Sequence, residues 1–211
     1  GLVSFHKWLL LGRNVGSVGV MTLDGGEVRH VVDSDKRNLA LCYDGGRAEL
    51  NLTGGLLHSP GSSVSIRQYN TGIATGTVNL CAGTLFADSI TNRPGVSSGY
   101  VNFAGGTFKA GISTPVFLTD ALTGVTVYGP FGTFAGGAVI DTDGKDVTIS
   151  APLQAPSGSG VAGVALTDGG SGYIGEPVVT IEGGGGFGAT AVANMEDDGT
   201  GGGTYRVASI T

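Results

Sequence analysis

The sequence predicts an all-β protein in which a parallel β-helix, or β-solenoid, is followed by a small glycine-rich β unit. Three observations predict this fold. A short phrase returns four times at coil-sized intervals, 41 of the 211 residues are glycine without the three-residue period of collagen, and amphipathic helical runs are missing. A phrase that recurs at a coil-sized interval is typical of stacked repeats.

The repeated phrase has an apolar, a polar and an apolar residue, one further residue, a small pair, and a return to apolar residues. Its copies are residues 21–28, 50–57, 78–85 and 101–108, with a candidate fifth copy at 134–139 in which Gly137 follows Gly106. Alternation places the apolar residues on an inward face, so we expect Leu52, Leu80 and Phe103 to be almost fully buried. The polar residues then form an outward column at equivalent positions: Thr22, Asn51, Asn79 and Asn102.

The glycine pairs mark corners, because the chain bends sharply there without a side chain in the way. A further strand precedes the phrase in the first three coils, at Leu9 and Leu11, Leu39 and Leu41, and Val64 and Ile66. Each coil therefore has two strands before its corner and a short one after it. Twenty-odd residues cannot bury a hydrophobic face alone, but coils stacked about 4.8 Å apart can.

The sequence divides into two regions. Residues 1–156 contain the coils, regular to about residue 110 and looser afterwards, with strands expected at 116–118, 125–128 and 147–149 as one or two further coils. Pro152, Pro156 and the run 157–160 form a junction. Residues 161–211 predict a small antiparallel unit that mediates assembly, with strands at 164–167, 178–181, 189–193 and 205–210.

Charge and hydropathy exclude two classes of partner. Seventeen acidic and eleven basic residues leave a net charge of −6, and the basic residues are scattered, so we expect no nucleic-acid binding. No run approaches the roughly 20 apolar residues of a membrane span. No signal peptide is visible, but the chain starts at Gly1 without a Met, so a processed leader or a fragment of a longer chain is expected.

The coils resemble the autotransporter-associated β-strand repeats of large bacterial surface and secreted proteins. Residues 101–108, Val-Asn-Phe-Ala-Gly-Gly-Thr-Phe, carry the resemblance best, and residues 137–144 resemble a segment that follows such coils. The tail resembles a repeat of the same proteins and of some phage fibres, through residues 168–173 and 183–191. The resemblance implies a right-handed β-helix on the outside of a bacterium, within a longer polypeptide, and implies no activity. Cys81 and Ala82 depart from the pattern at the first small position.

Two acidic groups are candidate metal ligands. Asp141, Asp143 and Asp146 have oxygen-ligand spacing on a turn that suits calcium, although the loop lacks a glycine at the sixth position and a distal Glu. A solvated turn is the simpler interpretation. We interpret Glu196, Asp197 and Asp198 as a charged loop.

The remaining candidate residues have simple structural interpretations. Cys42 and Cys81 fall in different columns, which favours inert thiols over a disulfide. We expect His6, His30 and His58 at the surface or at corners, and coincidence explains the glycosylation-like Asn51-Leu52-Thr53. Six aromatic residues suit core and edge packing better than a sugar-binding groove: Trp8, Tyr69, Tyr100, Phe103, Phe108 and Phe117.

The outward column contains no acid and no base, whereas glycan-cleaving β-helix enzymes gather such groups on one face. Amide hydrogen bonds from coil to coil explain the asparagines better. We therefore expect a non-enzymatic, cofactor-free structural protein, extracellular or on the bacterial surface, that self-associates into a fibre, sheath or adhesin stalk. The alternatives are a carbohydrate or host-surface binding module and a polysaccharide-cleaving enzyme. We expect filaments rather than closed oligomers, and their loss when residues 205–211 are removed.

Overall fold

The computed structural model describes residues 1–31, 39–66, 72–93, 95, 97–130, 132–157, 161, 163–179, 181 and 191–211. These residues contain strands and no helix, as the sequence predicts. The chain divides into two compact units, Gly1–Pro156 and Ser157–Thr211.

The first unit is a β-solenoid of successive strand triplets. In chain order the strands are β1 (Leu2–Phe5), β2 (Leu9–Leu11), β3 (Val18–Leu23); β4 (Glu27–His30), β5 (Leu39–Leu41), β6 (Gly46–Leu52); β7 (Leu56–Ser59), β8 (Val64–Ile66), β9 (Ala74–Leu80); β10 (Thr84–Ala87), β11 (Ile90–Asn92), β12 (Ser98–Phe103); β13 (Thr107–Ala110), β14 (Thr114–Leu118), β15 (Gly124–Val127); and β16 (Val139–Asp141), β17 (Val147–Ile149), β18 (Leu153–Gln154).

Every third strand pairs in parallel, so the solenoid has three six-stranded sheets. We call them sheet A (β1-β4-β7-β10-β13-β16), sheet B (β2-β5-β8-β11-β14-β17) and sheet C (β3-β6-β9-β12-β15-β18). The repeated phrase supplies sheet C and then, past the corner, sheet A. The strand upstream of the phrase supplies sheet B, which confirms three strands per coil.

The predicted register of sheet C is confirmed. Leu23, Leu52, Leu80, Phe103 and Val127 are paired in that order across five strands. Leu52, Leu80 and Phe103 are completely buried in the core between the three sheets. The core is densely filled at Phe108 of sheet A and Phe117 of sheet B, whose rings stack with centroids 4.0 Å apart.

The corners between sheets C and A require glycine because successive corners touch. Gly83 has a φ of +67°, and a Cβ on it would lie 2.5 Å from the carbonyl carbon of Gly54 in the coil before. In the fourth corner the left-handed residue is Gly105 rather than Gly106, with a φ of +121°. Gly137 therefore aligns with Gly105, whose N–H donates to its carbonyl at 2.9 Å, and the predicted alignment of Gly137 with Gly106 is wrong by one residue.

The second unit has one antiparallel hairpin, β19 (Ala193–Asp197) and β20 (Tyr205–Ile210). The strand predicted at 205–210 is confirmed. Residues 164–167 and the described residues of 178–181 are not in strands, and 189–190 lie outside the described residues. The other edge of β20 bonds instead to the glycine-rich turn: the N–H of Val207 donates to Gly169 at 3.0 Å, and Tyr205 and Tyr173 bond reciprocally.

Candidate functional site

The candidate calcium residues lie around the end of β16, but their carboxylates do not converge. Asp143 accepts from Nζ of Lys145 at 2.9 Å and lies 3.1 Å from Nζ of Lys109, which also lies 3.4 Å from Asp141. The hydrogen bond from Lys145, with Lys109 beside it, holds the pKa of Asp143 below its usual range. Asp146 contacts Ser113 through its backbone N–H. Within the described residues, no three His, Cys, Asp or Glu side chains are grouped as metal ligands.

The acidic loop of the second unit organises its own backbone. Asp198 accepts from the hydroxyl of Thr200 at 2.7 Å, and from the N–H groups of Thr200 and Gly172 at 3.0 Å. These donors, the Thr200 hydroxyl first, hold the pKa of Asp198 well below its usual range. Glu196 pairs with Arg206 across the hairpin at 2.7 Å. The loop interpretation is correct for Asp198, which joins the hairpin loop to the turn at Gly172, but wrong for Glu196 and Asp197, which belong to β19 and pair with β20.

The asparagines form a hydrogen-bonded ladder on the side of sheet C that faces away from the core. The amide of Asn79 donates to Oδ1 of Asn51 at 2.7 Å, and the amide of Asn102 donates to Oδ1 of Asn79 at 2.8 Å. The predicted equivalence of these positions is confirmed. The predicted amide hydrogen bonds from coil to coil are also confirmed. Asn51, Asn79 and Asn102 are only 7%, 4% and 8% exposed although they face away from the core, because each amide packs between its neighbours in the column.

One histidine is placed differently from the prediction. His30 points inward at the end of β4, where its ring stacks on Phe5 at 4.5 Å and its Nδ1 lies 3.0 Å from Oγ of Ser59. It is buried rather than at the surface, because alternation along β4 places it on the same inward side of the strand as Val28. His58 lies on the outer side of sheet A, with its ring 5.1 Å from that of Phe86.

Both cysteines are free thiols. Cys42 is buried after β5, where its S–H donates to the carbonyl of Thr75 at 3.1 Å. Burial raises the pKa of Cys42 to about 12, and burial also raises the pKa of Cys81. Thiolates are the reactive form, so these two side chains are in environments that suppress nucleophilic chemistry.

The aromatic residues proposed for a groove are mostly structural. Phe103, Phe108 and Phe117 are buried in the core, and Tyr100 is only 9% exposed. Trp8 packs edge-on against Tyr43 with centroids 5.2 Å apart. Tyr69 lies outside the described residues. The core-packing interpretation is therefore confirmed for Phe103, Phe108 and Phe117.

Inward residues of the first and last strand triplets are more exposed than those between them. One inward row of sheet A runs from Val3 through Val28, Leu57, Leu85 and Phe108 to Ile140. Val3 is 63% exposed, Val28 is 9% exposed and the next three residues are fully buried. Leu153, which ends an inward row of sheet C, is 50% exposed at the other end. The terminal strands thus present core residues to solvent.

The backbone at these ends is equally open. β1, β2 and β3 are the outermost strands of sheets A, B and C at one end, and β16, β17 and β18 are outermost at the other. Within the described residues each pairs with a strand on one side only, which leaves N–H and C=O groups directed along the solenoid axis.

Comparison with known proteins found no relative of this chain: no family model, curated protein or solved structure matches it. In the part of the chain that the structure describes, no helix has the length and apolar character of a membrane span.

Proposed function

We propose that this chain is a non-enzymatic structural protein of the bacterial exterior, whose solenoid is the building block of a fibre, sheath or adhesin stalk. The extracellular location rests on the resemblance of the coils to autotransporter-associated repeats. The mechanical role rests on the solenoid itself. Parallel ladders on three sides and a continuous apolar core make the first unit a rod that is extended by adding coils.

The observation that carries the proposal is the continuous inward packing of the stacked coils. Leu52, Leu80 and Phe103 lie in successive coils of sheet C and are completely buried, because each is covered by its neighbours in the coils on either side. A stack held together by contacts between coils is suited to bearing load along its axis and grows by the addition of coils.

The two alternative functions have less support. The asparagine column offered for glycan recognition is buried, so its amides are bonded to each other rather than to a ligand. The carboxylates of Asp141 and Asp143 are held by lysines. No specific observation in the described residues favours a binding module or a glycan-cleaving enzyme.

Electron microscopy and light scattering of the purified chain over a range of concentrations test the proposal. Filaments that lengthen with concentration are the expected result, since end-to-end addition obeys mass action. A monomer that persists at high concentration would overturn the proposal.

A pair of variants tests whether the open row drives assembly. Val3→Lys places a charge that costs little at an exposed end but would be buried on stacking. Val116→Lys changes a valine that is exposed on β14, in the fifth of the six strand triplets rather than in the first or the last. We expect the first variant to stay monomeric with an unchanged circular dichroism spectrum, and the second to assemble normally.

Removal of residues 205–211 distinguishes assembly by coil stacking from assembly by strand exchange. The sequence analysis predicts that filaments are lost without this segment, through end-to-end stacking or strand exchange, whereas in the structure β20 pairs with β19 and with Tyr173 of the same chain. We expect assembly by coil stacking to survive this truncation. Loss of filaments would instead favour strand exchange.

A further inference from the structure

The net charge of the chain is concentrated in its second unit. Residues 157–211 contain six acidic residues and one basic residue, a net charge of −5, whereas residues 1–156 contain eleven acidic and ten basic residues, a net charge of −1. The one basic residue, Arg206, pairs with Glu196 at 2.7 Å, so its charge is already offset within the unit. A surface of this charge attracts cationic groups and repels copies of itself.

The second unit also exposes more large apolar side chains than it buries. Among its described residues, Ala193 and Val207 are the buried apolar residues, and those exposed to solvent are Val161, Val164, Leu166, Ile174, Val178 and Tyr205. Ile174 is 92% exposed, a larger fraction than any other large apolar side chain in the described part of the chain. A single exposed apolar residue is ordinary on a protein surface, so the backbone that carries Ile174 decides what its exposure means.

The backbone next to Ile174 is fixed to the hairpin. Tyr173 and Tyr205 exchange backbone hydrogen bonds of 3.0 and 2.8 Å, and the N–H of Gly172 donates to Oδ2 of Asp198 at 3.0 Å. A side chain carried by an ordered backbone loses little conformational entropy when a partner covers it. Ile174 is therefore presented in the way that suits an anchor residue at an interface.

Carboxylates flank the turn that carries Ile174. Glu176 follows it by two residues, Asp168 begins the turn, and Asp197 lies opposite Tyr205 in the hairpin register. All three acidic residues are exposed. An apolar anchor with a negatively charged rim is complementary to a partner that presents an apolar side chain among positive charges.

From these relationships we infer that the second unit binds a cationic segment of a partner protein. Ile174 is the apolar anchor of this contact, and the carboxylates of Asp168, Glu176 and Asp197 face lysine or arginine side chains of the partner. The inference goes beyond the proposed function, because it assigns a partner to the second unit and does not depend on how the solenoids assemble. A second copy of this chain does not fit the contact, since its first unit is almost neutral in net charge and its second unit is repelled.

Fluorescence anisotropy of a labelled peptide tests the inference on the full-length chain. The probe is a peptide of alternating lysine and leucine. One control peptide has glutamate in place of each lysine, and the other has serine in place of each leucine. We expect the lysine–leucine peptide to bind with an affinity that falls as salt is added, and both control peptides to bind more weakly, because the contact needs positive charge and an apolar group together.

Ile174→Ser tests the anchor. Ile73→Ser is the matched control, because Ile73 is 71% exposed in the first unit. We expect Ile174→Ser to weaken binding of the lysine–leucine peptide about tenfold, as the loss of an anchor side chain does at other interfaces. Ile73→Ser should leave the affinity unchanged. Both side chains are exposed, so neither substitution should alter the circular dichroism spectrum.

Glu176→Gln tests the charged rim. Asp146→Asn is its control, because it removes one exposed negative charge from the first unit instead. We expect Glu176→Gln to weaken binding and to reduce its dependence on salt. Asp146→Asn should change neither quantity.

The outcomes distinguish a defined contact from the general attraction of opposite charges. Weaker binding confined to Ile174→Ser and Glu176→Gln supports the inference. Equal effects of the substitutions in the two units, or no binding of the lysine–leucine peptide at low salt, overturn it. Filaments that no longer form with Ile174→Ser would assign this surface to a second copy and would overturn it as well. Filament formation by the unsubstituted chain is measured separately, so its absence overturns the proposed function and not this inference.

Discussion

Asn79 lies at the centre of the amide ladder: its amide donates to Oδ1 of Asn51 at 2.7 Å, and its own Oδ1 accepts from the amide of Asn102 at 2.8 Å. The three residues sit on β6, β9 and β12, so the ladder bonds successive coils side chain to side chain, in addition to the backbone ladder. Because all three are buried, a broken bond in this column leaves a polar group that water does not reach.

We expect Asn79→Ala to destabilise the solenoid by about 1–3 kcal/mol for each partner left unsatisfied. Asn102→Ala removes only one of the two ladder bonds and is expected to cost less. Urea unfolding followed by circular dichroism measures both. Equal effects of the two substitutions would show that the ladder does not act as a connected column.

Leu80→Ala should cost about 2–5 kcal/mol, because the side chain is fully buried and its neighbours Leu52 and Phe103 belong to other coils and cannot collapse onto the cavity without moving a strand. Leu153→Ala is the matched control, since Leu153 is half exposed at the last coil. Its effect on the free energy of unfolding of the dilute monomer should stay within about 0.5 kcal/mol. A mild effect at Leu80 would contradict the core assignment.

Gly83→Ala and Gly144→Ala separate backbone strain from collision between coils. Both glycines have a φ near +70°, but a Cβ on Gly144 meets no atom within 4 Å, whereas one on Gly83 lies 2.5 Å from the backbone of Gly54. Gly144→Ala should cost about 1 kcal/mol through strain alone. Gly83→Ala should cost clearly more, because two corners must separate. Thermal unfolding midpoints of the two variants provide the comparison.

Cys42 should make the protein sensitive to alkaline pH. Burial raises the pKa of its thiol to about 12, so the folded chain keeps a proton that the unfolded chain releases above about 8.5. The contribution of the buried neutral thiol to the free energy of unfolding is complete at pH values below the pKa of Cys42 in the unfolded chain. It is lost as the pH rises towards 12. Cys42→Ala should weaken that alkaline loss of stability in urea titrations at several pH values. In the native protein at pH 8, a thiol reagent should modify Cys42 only upon unfolding.

Much of the fold could be predicted because each coil of a solenoid repeats the same short sequence pattern. Alternation at residues 50–52 and 78–80, and the glycines that follow, identify two sheets and the corner between them without knowledge of distant contacts. The same reasoning misaligned Gly137 by one residue, because in the fourth corner the residue with a positive φ is the first glycine of the pair, Gly105, rather than the second. In the tail, β-prone residues 164–167 do not form a strand, since the edge of β20 bonds to Gly169 and Tyr173 instead.

The sequence by itself determined the side of the sheet on which each repeated residue lies, because the two-residue period of a strand is a property of the backbone. Burial was decided only by the tertiary structure. Asn79 faces away from the core and is nevertheless inaccessible, and His30 lies on the inward side of β4, with Val28, although it is polar. Both results depend on residues about one coil away in the sequence, Asn51 and Asn102 in one case and Phe5 and Ser59 in the other. The different burial of Val3 and Leu57, which share one inward row, was likewise decided by the stack and not by any single strand.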